Sequence, residues 1–321
     1  MNSIGVIGAG AWGTALAIQA ARAGNKVTLW ARDPAGAARL SALRENPRLP
    51  GAHLPDAVGV TSELGAVAAD LLLLTVPMQH MRVIAARLPL RLTVACAKGV
   101  EANTLLMPLE VLAAIQPDRP AAVLSGPNFA REIAAALPAA AVVAAIDPAL
   151  RATVAERLAT PAFRLYGNDD PAGVQVGGAA KNVIAIAAGA VIGGGLGENA
   201  RAALVTRGLA ELGRLALALG GRLETVAGLS GLGDLLLTCT GPASRNYSLG
   251  LALGRGERLA DVLAARSGVT EGVATAPALV ARAARAGVEM PICAAVAALL
   301  DGRLTLPAAI ATLLARPRRN E

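Results

Sequence analysis

The first half of the chain alternates short, almost unbroken apolar runs with longer amphipathic stretches. SIGVIG (3–8), KVTLWA (26–31), DLLLLTVP (70–77), LTVACA (92–97), AAVLSG (121–126) and AAAVVAAI (139–146) read as strands. Between several of them lie Ala-, Leu- and Arg-rich segments with a 3.6-residue period, such as TALAIQAARAG (14–24). Strands without polar alternation, separated by helices, predict a parallel sheet covered on both faces. The alternation stops near FRLYGNDDPAG (163–173), a turn-rich stretch that reads as a domain junction. Beyond it the pattern is helical. The segment 201–221 carries apolar residues at i, i+3 and i+4 and ends on a glycine pair suited to a C-cap. Segments 257–268 and 275–288 show similar periodicity, and 304–317 reads as a last short helix.

GAGAWG (8–13) gives this pattern a chemical meaning. Gly8, Gly10 and Gly13 stand in G-x-G-x-x-G spacing directly after the first strand and open a helix that leads to the second strand. Gly8 permits the tight turn, Gly10 lets the backbone approach a pyrophosphate, and Gly13 allows close helix–strand contact. The helix N-terminus then favours the anion. At the end of the second strand, Arg32 suits the 2′-phosphate of NADP, whereas an acid there would bind the free 2′-hydroxyl of NAD. Arg32 therefore leans the reading to NADPH, with NAD(H) as the alternative, and Asp33 caps the helix begun by Pro34. The expected fold is an α/β Rossmann-type N-terminal domain with a mostly parallel sheet (1–170), followed by an all-α C-terminal domain (171–321). A chain of 321 residues is long enough for both cores.

Composition narrows the partners. Hydrophobic residues make up 54% of the chain, much of it Ala and Gly. The longest apolar stretches, 133–146 and 183–197, are broken by Pro or Gly and fall short of the ~20 residues of a span, so no membrane insertion is expected. The N-terminus has no basic run before its first strand, which argues against a signal peptide and for a cytoplasmic protein. Cys96, Cys239 and Cys293 lack metal spacing and read as buried small hydrophobes, and His53 and His80 are the only histidines. Neither a metal site nor a Ser-His-Asp triad is expected. The net charge of +7 is spread singly apart from the terminal RPRR (316–319), and aromatics are 2%, too few for base stacking. Nucleic acid is not an expected partner.

Of 30 basic residues only Lys26, Lys98 and Lys181 are lysines. Arginine serves wherever a generic positive charge suffices, so the remaining lysines hint at ammonium chemistry. Lys98 follows a strand end, where open α/β sheets bind ligands. Lys181 sits with Asn182 inside GGAAKNVIAIAAG (177–189), where an unpaired ammonium would be costly and a cleft is its natural place. The segment 228–246 presents Asp234 after a glycine-rich turn, then Ser244, Arg245 and Asn246. Two lysines, an acid and an Arg-Asn pair suit the reduction of a carbonyl on a phosphorylated substrate.

At these residues the chain resembles the bacterial NAD(P)-dependent glycerol-3-phosphate dehydrogenases. The matches are GAGAWGTALA, the KG of ACAKGVE, LSGPNFAREI, KNVIAIAAG, NARAALVTRGLAE, GLGDLLLTCT, SRN and VTEGVATA. The resemblance implies interconversion of dihydroxyacetone phosphate and sn-glycerol 3-phosphate for phospholipid synthesis, by a homodimer. It implies Lys181 as proton donor and acceptor, with Lys98 and Asp234 beside it in catalysis and Lys98 contacting substrate and cofactor. Gly126, Asn128, Asp234, Ser244, Arg245 and Asn246 would surround the substrate. Ala11, Trp12, Arg32, Ala130, Val269 and Glu271 would join the glycine loop on the cofactor, and Arg245 would reach both ligands. Asn128 stands where the family more often has Ser or Thr, and Ala11 where it often has Ser. Backbone contacts survive both changes.

Two other readings are compatible with the pattern. A related two-domain reductase would act on a carboxylate such as ketopantoate. A non-catalytic sensor would bind NADPH without consuming it, and would have no need of a proton donor.

Overall fold

The computed structural model describes residues 2–266 and 268–317, so Arg318 and Arg319 of the terminal basic run lie outside the described residues. The chain forms two compact units, Met1–Lys98 with Met107–Gln175, and Gly99–Leu106 with Val176–Glu321.

The first unit is built on one sheet of eight strands: β1 (Ser3–Ile7), β2 (Lys26–Trp30), β3 (Val58–Thr61), β4 (Leu71–Leu74), β5 (Leu92–Ala95), β6 (Ala121–Ser125), β7 (Ala139–Ala144) and β8 (Phe163–Asn168). Their order is β3-β2-β1-β4-β5-β6-β7-β8. The pairs from β3 through β6 are parallel, β7 runs antiparallel to β6, and β8 lies parallel to β7. Ile4 stands opposite Val27 on one side and Leu71 on the other, so β1 is the strand at which the order reverses. In open α/β sheets the crevice at that point is where ligands bind.

The central strands are apolar throughout because helices cover both faces. All four residues of β4 are buried, as are Ile4, Val6 and Val94. Helix Ala11–Arg22 buries Leu16 and Ile18. Asp33 caps helix Pro34–Leu43 as expected, its carboxylate accepting from the Gly36 N–H at 2.8 Å. Two strands depart from the sequence reading. β3 was not anticipated, and β8 occupies the stretch 163–168 that reads as a turn-rich junction.

The second unit is helical. Its core is helix Pro171–Gly193, buried from Val176 to Ala190. Helix Arg245–Gly254 packs onto it at backbone range. A Cβ on Gly189 would fall 2.0 Å from the Tyr247 carbonyl oxygen, and one on Gly250 would fall 1.9 Å from that of Ile186. Glycines on both helices make the approach possible, which explains the Gly-Ala richness of the segment around Lys181.

Helix Gly197–Ala218 ends at Gly220, with φ +81°, and the Gly221 N–H reaches back to the Ala216 carbonyl at 2.7 Å. Among the described residues one helix, Pro171–Gly193, is long and apolar enough to cross a bilayer, contrary to the expectation from its glycines. Its most apolar window is 89% buried inside the fold, so that surface is already spent on the core.

Candidate active site

In the first unit, candidate residues gather at the carboxyl ends of the strands. After β1 the chain turns at Gly8, whose φ of +122° only glycine adopts without strain. Gly10 precedes helix Ala11–Arg22 and makes no side-chain cap, and beyond its own chain neighbours no described atom lies within 4 Å of where its Cβ would stand. Gly13 is the reverse case, since a Cβ there would lie 1.9 Å from the Gly8 carbonyl oxygen. The helix therefore begins hard against β1, with open space over its uncapped N–H groups. This cradle fits a dinucleotide pyrophosphate. Ala11 opens the helix, and half-buried Trp12 packs on the sheet core. Thr75 ties the loop down, its hydroxyl lying 3.0 Å from the Ile7 carbonyl and 2.9 Å from that of Gly8. Arg32 is exposed two residues beyond the end of β2.

Past β5, the Lys98 ammonium donates to the Gly126 carbonyl at 3.3 Å. Gly126 holds φ +148°, and a Cβ there would lie 2.9 Å from the Ala141 Cα. Asn128 Nδ2 donates to the Ala140 carbonyl at 2.9 Å, and its Oδ1 is enclosed without a partner among the described residues. The side-chain amide of Asn128 is thus turned onto β7. Ala130 opens the short helix Ala130–Ala134.

In the second unit, Lys181 lies on the core helix and is 8% exposed. It is not unpaired. Its Nζ donates to Asp234 Oδ1 and, at 3.0 Å, to Thr238 Oγ1. Asp234 is 0% exposed. The backbone that delivers Asp234 is unusual. Leu229–Gly233 forms a π-turn ahead of helix Asp234–Cys239, and it reaches the core helix where Gly177 leaves room. A Cβ on Gly177 would stand 2.4 Å from the Ser230 carbonyl oxygen. Gly177 is one helical turn before Lys181, so the close approach and the ion pair share one face.

A second buried relay runs beside the first along the chain. Asn246 Nδ2 donates to Asn182 Oδ1 at 2.9 Å, and Asn246 Oδ1 accepts from the Gly272 N–H at 3.0 Å. Ser244 caps helix Arg245–Gly254, its Oγ accepting from the Tyr247 N–H at 3.2 Å. Arg245 is exposed, and its carbonyl accepts from Arg266 Nη1 at 2.8 Å. Val269 is exposed, and half-buried Glu271 opens helix Glu271–Arg285.

Sequence reasoning did not single out Thr238 and gave Asn182 no partner. Thr238 carried one signal, its i+4 spacing from Asp234 on the same helix. The three cysteines are buried and unbridged. Burial pushes the Cys239 thiol up to about 12, with the Lys181 charge pulling the other way. Burial likewise raises Cys96 despite the nearby Lys98. Neither is a nucleophile at neutral pH.

A phosphate-cradling glycine loop on a parallel sheet, with a buried lysine–aspartate pair in a helical unit, defines a dinucleotide-dependent oxidoreductase. The chain belongs to the NAD-dependent glycerol-3-phosphate dehydrogenase family, matching its N-terminal part over residues 3–151 and its C-terminal part over 170–311. It is 57% identical to the glycerol-3-phosphate dehydrogenase (NAD(P)+) of Acidiphilium cryptum (strain JF-5), over 98% of this chain and 97% of the relative. The enzyme of that name from Gluconobacter oxydans (strain 621H) is 53% identical, over 99% and 98%. The crystal structure of glycerol-3-phosphate dehydrogenase from Coxiella burnetii superposes with a TM-score of 0.94 at 38% identity, covering 98% of this chain and 99% of that one.

Proposed function

We propose that this chain is an NAD(P)-dependent sn-glycerol-3-phosphate dehydrogenase that reduces dihydroxyacetone phosphate to sn-glycerol 3-phosphate for glycerophospholipid synthesis. The observation that carries the reading is the buried Lys181–Asp234–Thr238 cluster, in a chain of this family that also holds an open phosphate cradle.

Residues 1–170 serve as the dinucleotide-binding domain and 171–321 as the substrate and catalytic domain. The reduced nicotinamide, when bound, supplies the hydride that C2 of the ketone accepts. Lys181 delivers a proton to the carbonyl oxygen and takes it back in the reverse direction. Asp234 and Thr238 fix the direction in which that ammonium points, which matters because proton transfer needs the donor within hydrogen-bond reach. Lys98 contacts substrate and cofactor. Arg245 and Asn246 hold the substrate phosphate, with Gly126, Asn128 and Ser244 around it, and a guanidinium suits that bidentate task. Gly8, Gly10, Ala11, Trp12, Gly13, Ala130, Val269 and Glu271 hold the dinucleotide. Exposed Arg32 selects NADPH over NADH by pairing with the 2′-phosphate. The chain works as a cytoplasmic homodimer.

The test is a spectrophotometric assay of NADPH and NADH oxidation with dihydroxyacetone phosphate, with ketopantoate as the competing ketone. Oxidation that depends on dihydroxyacetone phosphate and is faster with NADPH is expected. Oxidation only with ketopantoate, or binding without turnover, would overturn the reading.

A further inference from the structure

Between helix Pro34–Leu43 and β3 the chain makes a long loop that reaches the glycine loop through Asn46. Arg44, with φ +56°, closes its base: Nη1 donates to the Val58 carbonyl at 2.9 Å and Nη2 to that of Pro55 at 2.5 Å. The Leu54 N–H answers to the Arg44 carbonyl at 2.7 Å, and Leu49 and Leu54 are buried beneath the loop. The loop is thus a fixed object, and it carries Asn46 inward, 2% exposed.

Every polar position of the Asn46 side chain but one acceptor lone pair is engaged. Nδ2 donates to the Ala9 carbonyl at 3.1 Å and to Thr14 Oγ1 at 2.6 Å, while Oδ1 accepts from the Arg48 N–H at 3.0 Å. These bonds also fix the amide's orientation, because the reverse setting would bring Oδ1 against the Ala9 oxygen. Ala9 lies between the first two glycines of the loop. A trans peptide is planar, so its C=O and the following N–H point opposite ways. Holding the Ala9 carbonyl toward Asn46 therefore turns the Gly10 N–H the other way. Without that anchor the Ala9–Gly10 peptide is less restrained, because one of the two torsions that turn it, φ of Gly10, belongs to a glycine.

We propose that Asn46 is a positioning residue for dinucleotide binding, setting the Ala9–Gly10 peptide so that the Gly10 N–H is presented to the pyrophosphate before the ligand arrives. The inference rests on the dinucleotide-binding reading above and adds to it a residue outside the glycine motif. Pre-orientation lowers the ordering cost of binding. Because the pyrophosphate is common to both dinucleotides, Asn46 acts on NADPH and NADH alike, unlike Arg32.

The experiment compares Asn46→Ala and Asn46→Asp with the wild type, reading the Kd of NADPH and of NADH by fluorescence titration, and kcat and the KM for dihydroxyacetone phosphate at saturating NADPH. Asn46→Asp keeps an acceptor for the Arg48 N–H and lets the Thr14 hydroxyl donate, but sets an oxygen against the Ala9 carbonyl and so repels the group that asparagine anchors; thermal unfolding checks that it folds. Asn46→Ala removes the same bond without adding charge. Both variants are expected to bind NADPH and NADH about tenfold more weakly, the loss of one well-placed hydrogen bond. The NADPH-to-NADH ratio, kcat and the substrate KM should stay at wild-type values. Unchanged dinucleotide affinity in either folded variant, or a loss confined to one dinucleotide, would overturn the proposal. A wild type that binds neither dinucleotide would instead overturn the functional reading itself.

Discussion

Lys181 and Asp234 pair within the helical unit, the carboxylate fully buried and the lysine 8% exposed. Removing one member of a buried ion pair strands the other charge in a low-dielectric interior, a loss of about 3–5 kcal/mol. Lys181→Met should therefore lower stability by that order and lower kcat by roughly 100- to 10,000-fold, the usual contribution of a positioned proton donor. NADPH affinity should hold, since the glycine loop belongs to the first unit. Denaturant unfolding, single-turnover kinetics and NADPH titration check the three parts. Near-normal kcat would remove Lys181 from proton transfer.

The same geometry makes Gly177 a sensitive point. A methyl group there would collide with the Ser230 carbonyl oxygen at 2.4 Å, and that oxygen belongs to the π-turn that delivers Asp234. Gly177→Ala should cost about 1–3 kcal/mol of stability, the range for overpacking. Because the π-turn must shift, kcat should fall while the NADPH Kd stays constant. Wild-type kcat in a destabilised variant would show that the turn can move without moving the carboxylate.

Arg32 tests cofactor choice. It is exposed, so removing it should cost little stability. Arg32→Ala should raise the KM for NADPH about tenfold, the scale of a charge-assisted hydrogen bond, and leave that for NADH nearly unchanged. Equal losses with both would dissociate Arg32 from the 2′-phosphate.

Much of this was legible in the residues. The runs at 3–8, 26–31, 92–97, 121–126 and 139–146 each became a strand with ends within two residues, because central parallel strands are apolar on both faces. The two missed strands are the sheet's edges. VGVT and FRLYGN are half-exposed there, so neither shows a continuous apolar run or a clean alternation. The cost of burying Lys181 was visible in its neighbours, but the remedy was not. The resemblance sets Asp234 beside Lys181 in catalysis, but not as the partner that offsets its burial, which this carboxylate 53 positions later supplies. The π-turn shifts the helical phase between Gly228 and Asp234, so 3.6-residue counting could not say which side chains of 234–239 face Lys181. Thr238 could be placed only through its i+4 spacing from Asp234, once Asp234 is known to face Lys181.

A pH-dependent term in stability should arise far from the catalytic lysine, at Glu211. This carboxylate is 2% exposed and accepts from the Ile292 N–H at 2.7 Å and the Cys293 N–H at 3.3 Å, at the start of helix Pro291–Leu300. Burial pushes its pKa above the ordinary 4.5, and the two backbone N–H bonds oppose that push only in part. Between the ordinary and the raised value, the folded chain still holds a proton that the unfolded chain has released. Stability therefore falls as pH rises through that window and is flat on either side of it. Glu211→Gln keeps an acceptor for the Ile292 N–H and cannot ionise, so its stability lacks this slope. Urea unfolding of both proteins at steps from pH 4 upward should show the wild type losing stability relative to Glu211→Gln once pH passes about 4.5. Parallel curves, or a wild type that gains on the variant as pH rises, would mean that the N–H bonds at the helix terminus outweigh burial and that Glu211 folds as an ordinary carboxylate.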